Sequence, residues 1–195
     1  MKRFKTNIIA IIAIFGMTII MSSCSKENVS DVTANSTLTE RNGAPAPGNT
    51  PIAQIAINAG FSELVAALTY VDGQLNTGLV NLFLNGTDQY TVFAPTNAAF
   101  NNLYTALNIN GITDLPATLV RDVLLYHVVE GRRAANSVVP NVGTKKITTL
   151  LGSGFKVNTQ GGITAIGNTA NIVTPNISAS NGIIHVIDAV LLPIQ

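Results

Sequence analysis

The chain has 195 residues, 47% of them hydrophobic and 11% charged, with 11 basic against 10 acidic side chains and a formal net charge of +1. That is enough apolar material for one buried core and too little charge for a chain that stays dispersed. Lys2, Arg3 and Lys5 fall in a segment expected to be removed, and taking those three from the 11 leaves eight basic against 10 acidic groups, so a nucleic-acid partner is excluded on charge.

Residues 1–23 read as a signal peptide: a basic start, an apolar run from Ile8 to Met21, and small residues Ser22 and Ser23. The run is short of the roughly 20 apolar residues that a spanning helix needs. Cys24 is the only cysteine, so it has no partner within the chain for a disulfide. Its place after Met-Ser-Ser resembles the lipobox of bacterial lipoproteins, in which such a cysteine becomes the acylated N-terminal residue. That resemblance implies lipidation at Cys24 and a domain tethered to a membrane without spanning it. Ser25-Lys26-Glu27 is similar to short charged words that direct some bacterial lipoproteins outward, and the expected location is the cell envelope, at the periplasmic face or the cell surface of the outer membrane. Residues 24–50 are rich in Ser, Thr, Asn, Gly and Pro and read as a flexible tether, at ~3 Å per residue where extended.

The folded domain is expected over residues 51–195. Thr50-Pro51 is a plausible helix start, and Ile52, Ile55, Ala56 and Ala59 share one helical face before Gly60. Ser62 is placed to cap a second helix with Leu64, Val65, Leu68 and Val71 inward, ended by a turn at Asp72-Gly73. Leu79 to Leu84 suits a short helix. Tyr90 to Ala94 is a β-branched and aromatic run closed by Pro95, after which Thr96 can cap a helix carrying Ala99, Phe100, Leu103 and Leu107 on one face. Pro116 opens a further helix to about Leu125, and Tyr126 to Val129 reads as a strand.

Beyond Ala134 the texture changes to short β runs separated by Gly and Asn: Lys146 to Leu151, Phe155 to Asn158, Ile163 to Ile166, Ile172 to Val173 and Ile183 to Leu192. Helices first and strands after indicate an α+β fold, with helices against an antiparallel sandwich. The last run is apolar at both parities, His185 sharing one face with Ile183 and Ile187, so it is expected to be buried on both sides.

Three segments carry a family resemblance. Thr91-Val92-Phe93-Ala94-Pro95-Thr96-Asn97-Ala98-Ala99-Phe100 resembles the first signature of the fasciclin-like (FAS1) domain family. Leu124 to Val129, with Tyr126 and His127, resembles its Tyr-His segment, and Asn181 to Pro193, with Gly182, His185 and Asp188, resembles its C-terminal signature. The resemblance implies a compact wedge, a β-sandwich of about seven strands flanked by several helices. It also implies a non-enzymatic role in adhesion or matrix and cell-surface contact. In some animal members the Tyr-His region is implicated in binding integrins; here Tyr126 and His127 are carried over as signature positions, not as an integrin site.

For chemistry the residues offer little. His127 and His185 are the only histidines, and His185 is three residues from Asp188, an odd spacing that separates them across a strand. His127 is read as a packed side chain making one or two hydrogen bonds where sheet meets helices. No nucleophile elbow, phosphate loop or dinucleotide fingerprint is present, so no catalytic residue, cofactor or metal is expected. Arg132-Arg133 and Lys145-Lys146, the only basic pairs, are read as solvated loop and edge-strand charges that could also form one side of a contact with an acidic glycan, with Arg132 and Arg133 as the candidate surface contact. The expected function is a membrane-anchored binding protein of the cell envelope whose partner is a cell-surface protein or glycan; the alternative is a carrier holding an apolar small molecule in a cleft of the domain.

Overall fold

The computed structural model describes residues 45–194. Cys24, the leader and the spacer as far as residue 44 lie outside the described residues. Three helices open the domain, α1 (Ile52–Asn58), α2 (Ser62–Leu75) and α3 (Leu79–Asn85). Strand β1 (Tyr90–Pro95) follows, then α4 (Asn97–Leu107), α5 (Ala117–Tyr126), the short strand β2 (Val128–Glu130) and a one-turn helix α6 (Ala135–Val138). The chain then becomes β throughout: β3 (Thr144–Thr148), β4 (Gly154–Asn158), β5 (Gly162–Thr164), β6 (Thr169–Ala179) and β7 (Gly182–Ile187).

The seven strands order as β2-β1-β7-β6-β5-β4-β3. The α+β class expected from the pattern of elements is what the structure has, but the sheet is mixed. β1 runs parallel to β7, from Tyr90 opposite Gly182 to Pro95 opposite Ile187, and the other neighbours are antiparallel. A parallel central pair requires cover on both faces, and Thr91 to Pro95 and Gly182 to Ile187 are buried throughout. Alternate residues of the two strands therefore feed two cores. Val92, Ala94 and Ile184 join Leu64, Leu68 and Phe83 on the helical side; Phe93 and Ile187 join Tyr126, Ile147, Phe155 and Ile163 within the sheet layer. Burying each large side chain contributes about 1.5–3 kcal/mol. The sheet curls on itself, since Leu150 N, in the turn after β3, donates to Val128 O of β2 at 2.8 Å.

Four local expectations are corrected. Tyr126 is the last residue of α5, not the first of a strand, and His127 caps that helix; an apolar run as short as Leu124 to Val129 does not distinguish helix from strand by its pattern. Helix α2 passes through Asp72-Gly73 and ends at Leu75, with Asn76 in the left-handed conformation. Ser62 makes no capping bond; the Glu63 amide donates to Asn97 Oδ1, from the start of α4, at 3.2 Å. Finally, the end of the spacer is part of the domain: Gly48 N donates to Ala179 O and Ser180 N to Thr50 O, laying residues 48–50 along the end of β6.

Candidate functional site

The signature residues come together around β1 and β7, and their polar atoms turn inward. Thr91 Oγ1 donates to Gly131 O at 2.6 Å and accepts from Arg133 N at 2.8 Å. Phe93 packs edge-on against Phe155 with ring centres 4.9 Å apart, and lies 5.4 Å from the His185 ring. Ala94 and Pro95 complete the parallel pairing with Val186 and Ile187. Thr96 caps α4 by accepting from Ala99 N, and Asn97 adds a second contact by donating from Nδ2 to Gly60 O at 2.8 Å. Phe100 lies in the helical core.

Asn181 is a buried capping residue for a helix 129 positions earlier. Its Oδ1 accepts from Ile52 N at 2.8 Å, at the start of α1, and its Nδ2 donates to Phe83 O near the end of α3 at 3.0 Å. Gly182 beside it cannot carry a side chain, because a Cβ would stand 2.1 Å from Tyr90 O. Tyr126, buried, donates its hydroxyl to Gly154 O at 3.0 Å and ties the end of α5 to β4.

The two histidines do not converge on each other or on any carboxylate. His127 donates from Nδ1 to Val123 O at 2.7 Å and accepts at Nε2 from Leu191 N at 2.8 Å. His185 donates from Nε2 to Arg133 O at 2.8 Å and accepts at Nδ1 from Asn176 N at 3.2 Å. That last contact depends on a bulge in β6 near Pro175, where Asn176 adopts a φ of 65°. Each ring must accept one backbone N–H, which only neutral imidazole can do. Burial adds to this: desolvation pushes His127 down to about 4 against the opposing bond to Val123, and lowers His185 in the same way. Both imidazoles are thus neutral structural links. Asp188 faces outward and accepts from Asn171 N and Nδ2 at 2.6 and 2.9 Å.

Arg132 corrects the expectation of a solvated contact. Its guanidinium donates to Ala179 O at 3.1 Å, to Pro45 O at 2.9 Å, to Ser178 Oγ and to Gly182 O, binding residues 45 and 46 to the β6–β7 turn. Arg133 donates from Nε to Glu130 O at 3.2 Å, while its backbone serves Thr91 and His185. Arg132 therefore acts as a clamp, which sequence spacing does not show because its partners lie about 50 residues on and 87 back.

A feature not anticipated residue by residue is an apolar cleft of about 170 Å³ between α2, α4, α5 and the C-terminal segment. Leu103, Leu107, Leu115, Leu119, Leu192 and Ile194 form much of its wall, and the His127 ring forms part of its floor. The visible signal was the apolar stripes of successive helices; which residues would remain uncovered depended on how those helices pack. Leu107 and Ile194 are half exposed at the cleft. Its volume is below the roughly 300 Å³ of an ordinary ligand pocket but close to the ~150 Å³ of cavities that take a benzene ring. Among the described residues no three His, Cys, Asp or Glu side chains gather as a metal site, and no helix is long and apolar enough to cross a membrane.

A sequence profile described as the Fasciclin domain matches residues 59–193. The chain is similar to the immunogenic protein MPB70 of Mycobacterium bovis, with 39% identity over 145 residues that cover 73% of this chain and 69% of that protein. It is also similar to the cell surface glycolipoprotein MPB83 of the same organism, at 37% over 153 residues, covering 73% of this chain and 60% of that one. Among solved structures, a FAS1 domain pair from the insect cell adhesion molecule fasciclin I aligns over 67% of this chain and 45% of its own, with a TM-score of 0.47 and 18% identity.

Proposed function

The chain belongs to the Fasciclin domain family, and from that premise we propose that it is a non-enzymatic binding module of the cell envelope, held to the outer membrane by an acylated Cys24. It acts by contact with a cell-surface protein or glycan. One observation carries this reading: the polar atoms of His127, His185, Asn181 and Thr91 are all engaged by the fold, so the signature builds a scaffold and leaves recognition to the surface. The likeness to a cell surface glycolipoprotein supports the location.

A second reading is favoured by the apolar cleft, which would hold an apolar small molecule of about one ring, or the end of a chain, in a carrier role. An organic extract of the purified protein, examined by mass spectrometry, separates the two: a stoichiometric apolar ligand supports the carrier. For the envelope reading, cells displaying the protein are compared with cells carrying Cys24→Ala for membrane association and for adhesion to envelope-coated surfaces. Loss of both in the variant is expected. Membrane retention of Cys24→Ala in high salt would overturn the anchor, and equal adhesion by cells lacking the protein would overturn the binding role.

A further inference from the structure

The charged side chains of the domain are unevenly divided along the chain. Residues 45–130 carry six acids and one base, Arg121, whereas residues 131–187 carry Arg132, Arg133, Lys145, Lys146 and Lys156 and no acid. Two of those lysines face each other. Lys146 stands opposite Lys156, Lys156 opposite Thr164, and Thr164 opposite Thr169, so four strands contribute one continuous row of exposed side chains. Like charges directly opposed on neighbouring strands destabilise a sheet. Among the described residues the one ion pair is Arg121–Asp122, which leaves both ammonium groups uncompensated. Asp188, the nearest acid in sequence beyond this stretch, is held by Asn171.

Beside the lysines lies a shallow hollow of about 290 Å³, lined by Gly154, Ala165 and Ile166 together with Lys146, Lys156 and Thr164, while the Phe155 ring beneath turns into the sheet core. A partly apolar floor rimmed by a hydroxyl and two cations suits a sugar ring that bears an anionic group. The C–H face of the ring lies on the floor, its hydroxyls meet Thr164, and its carboxylate meets the lysines, which recognise it as point charges. The row carries too few cations, and no exposed aromatic ring, for a nucleic acid. It also lies at the start of β6, whereas residues 48–50 enter against Ala179 and Ser180, at the far end of that 11-residue strand. An extended strand of that length spans about 30 Å. The row therefore sits away from the point where the chain enters the domain.

We propose that the exposed row Lys146, Lys156, Thr164 and Thr169, with its adjoining hollow, is a binding surface for an acidic polysaccharide. The proposal rests on the reading of the protein as an envelope binding module and names its partner. The full chain, kept in a non-ionic detergent, is titrated with alginate, a polymer of uronic acids, with neutral dextran, and with mixed micelles containing phosphatidylglycerol. Binding to alginate alone is expected, weakened about tenfold between 50 and 200 mM salt because few charges are involved. The double variant Lys146→Gln/Lys156→Gln is expected to lose at least about tenfold in alginate affinity with a urea midpoint that does not fall, since both side chains are exposed and their mutual repulsion is removed. Lys145→Gln, one residue out of register with the row, should bind like the native chain. Undiminished binding by the double variant, equal binding to dextran, or binding to the anionic micelles in place of alginate overturns the surface. Failure here leaves the whole-cell adhesion measurement to decide the wider reading.

Discussion

The two cores on either side of β1 and β7 are packed by different rules. On the sheet side, Phe93, Phe155 and Tyr126 meet edge to face at centroid distances of 4.9 and 5.9 Å, and Ile147, Val157, Ile163 and Ile187 fill the spaces between them. On the helical side, α2, α4 and α5 leave an apolar cleft open. Strand register places each side chain against fixed neighbours, whereas helices meet along ridges whose ends diverge. The closed core holds the domain in shape, and the open one retains room for another group. The acid-free stretch 131–187 supplies most of the sheet core and the acidic stretch 45–130 most of the helical one, with β1 and β7 feeding both.

The most damaging change should fall on that shared seam. Gly182→Ala would drive a methyl group to 2.1 Å from Tyr90 O and 2.8 Å from Ile52 Cδ1, disturbing the parallel pair that feeds both cores. A loss of about 3 kcal/mol or more is expected from urea unfolding, the upper end for overpacking, because backbone must move.

Acid should weaken the helical side almost as much. His127 is held near 4 by burial in the fold but titrates near 6.5 when unfolded. Between those values the unfolded chain binds more protons, so its contribution is fully present above about pH 6.5 and declines as pH falls toward 4, by about 3 kcal/mol at most. His185, lowered by desolvation, adds to the loss in the same direction. Urea midpoints measured from pH 7.5 to 4 should fall, and more shallowly in His127→Gln; a flat profile for the native chain would contradict the neutral, buried imidazole.

Asn181→Ala removes an acceptor from Ile52 N and a donor from Phe83 O, both buried by the contact. A cost of about 2 kcal/mol is expected, with hydrogen exchange at the amides of α1 rising first. The last comparison contrasts the cores directly. Ala67 lines the cleft, and Ala170 sits in the sheet core. Enlarging Ala170 to Val should cost about 1–2 kcal/mol, while Ala67→Val, with space beside it, should change stability by less than about 0.5 kcal/mol. Equal effects in thermal melts would mean that the two sides are equally close-packed.

Much of the fold was legible because its signals are local. Tyr90 to Pro95 and the Thr96 cap depend on residues within one turn of each other, and Leu79–Asn85 forms the short helix that its apolar run suggests. The errors occur where a distant group decides. Asp72 looked like a turn residue, yet its carboxylate accepts from Leu79 N at 2.9 Å and Val80 N at 2.8 Å at the start of α3. Burial opposes its ionisation, but the Thr77 hydroxyl and these amides outweigh that and hold its pKa below the ordinary value. Arg132 was misread for the same reason, since it found carbonyls on the β6–β7 turn and on residues 45 and 46, and the exposed cations of this stretch are Lys146 of β3 and Lys156 of β4.

From its residues alone the chain determined its family, the order of helices before strands, and the depth at which its last strand is buried, since apolar periodicity and capping act over a few positions. Only the tertiary structure decided that β1 pairs in parallel with β7, that Asn181 and Arg132 serve backbone far away in sequence, and that three helices leave a cleft. Those outcomes depend on which unpaired amides, carbonyls and side-chain faces meet once the chain has closed, and no short stretch of sequence contains both partners.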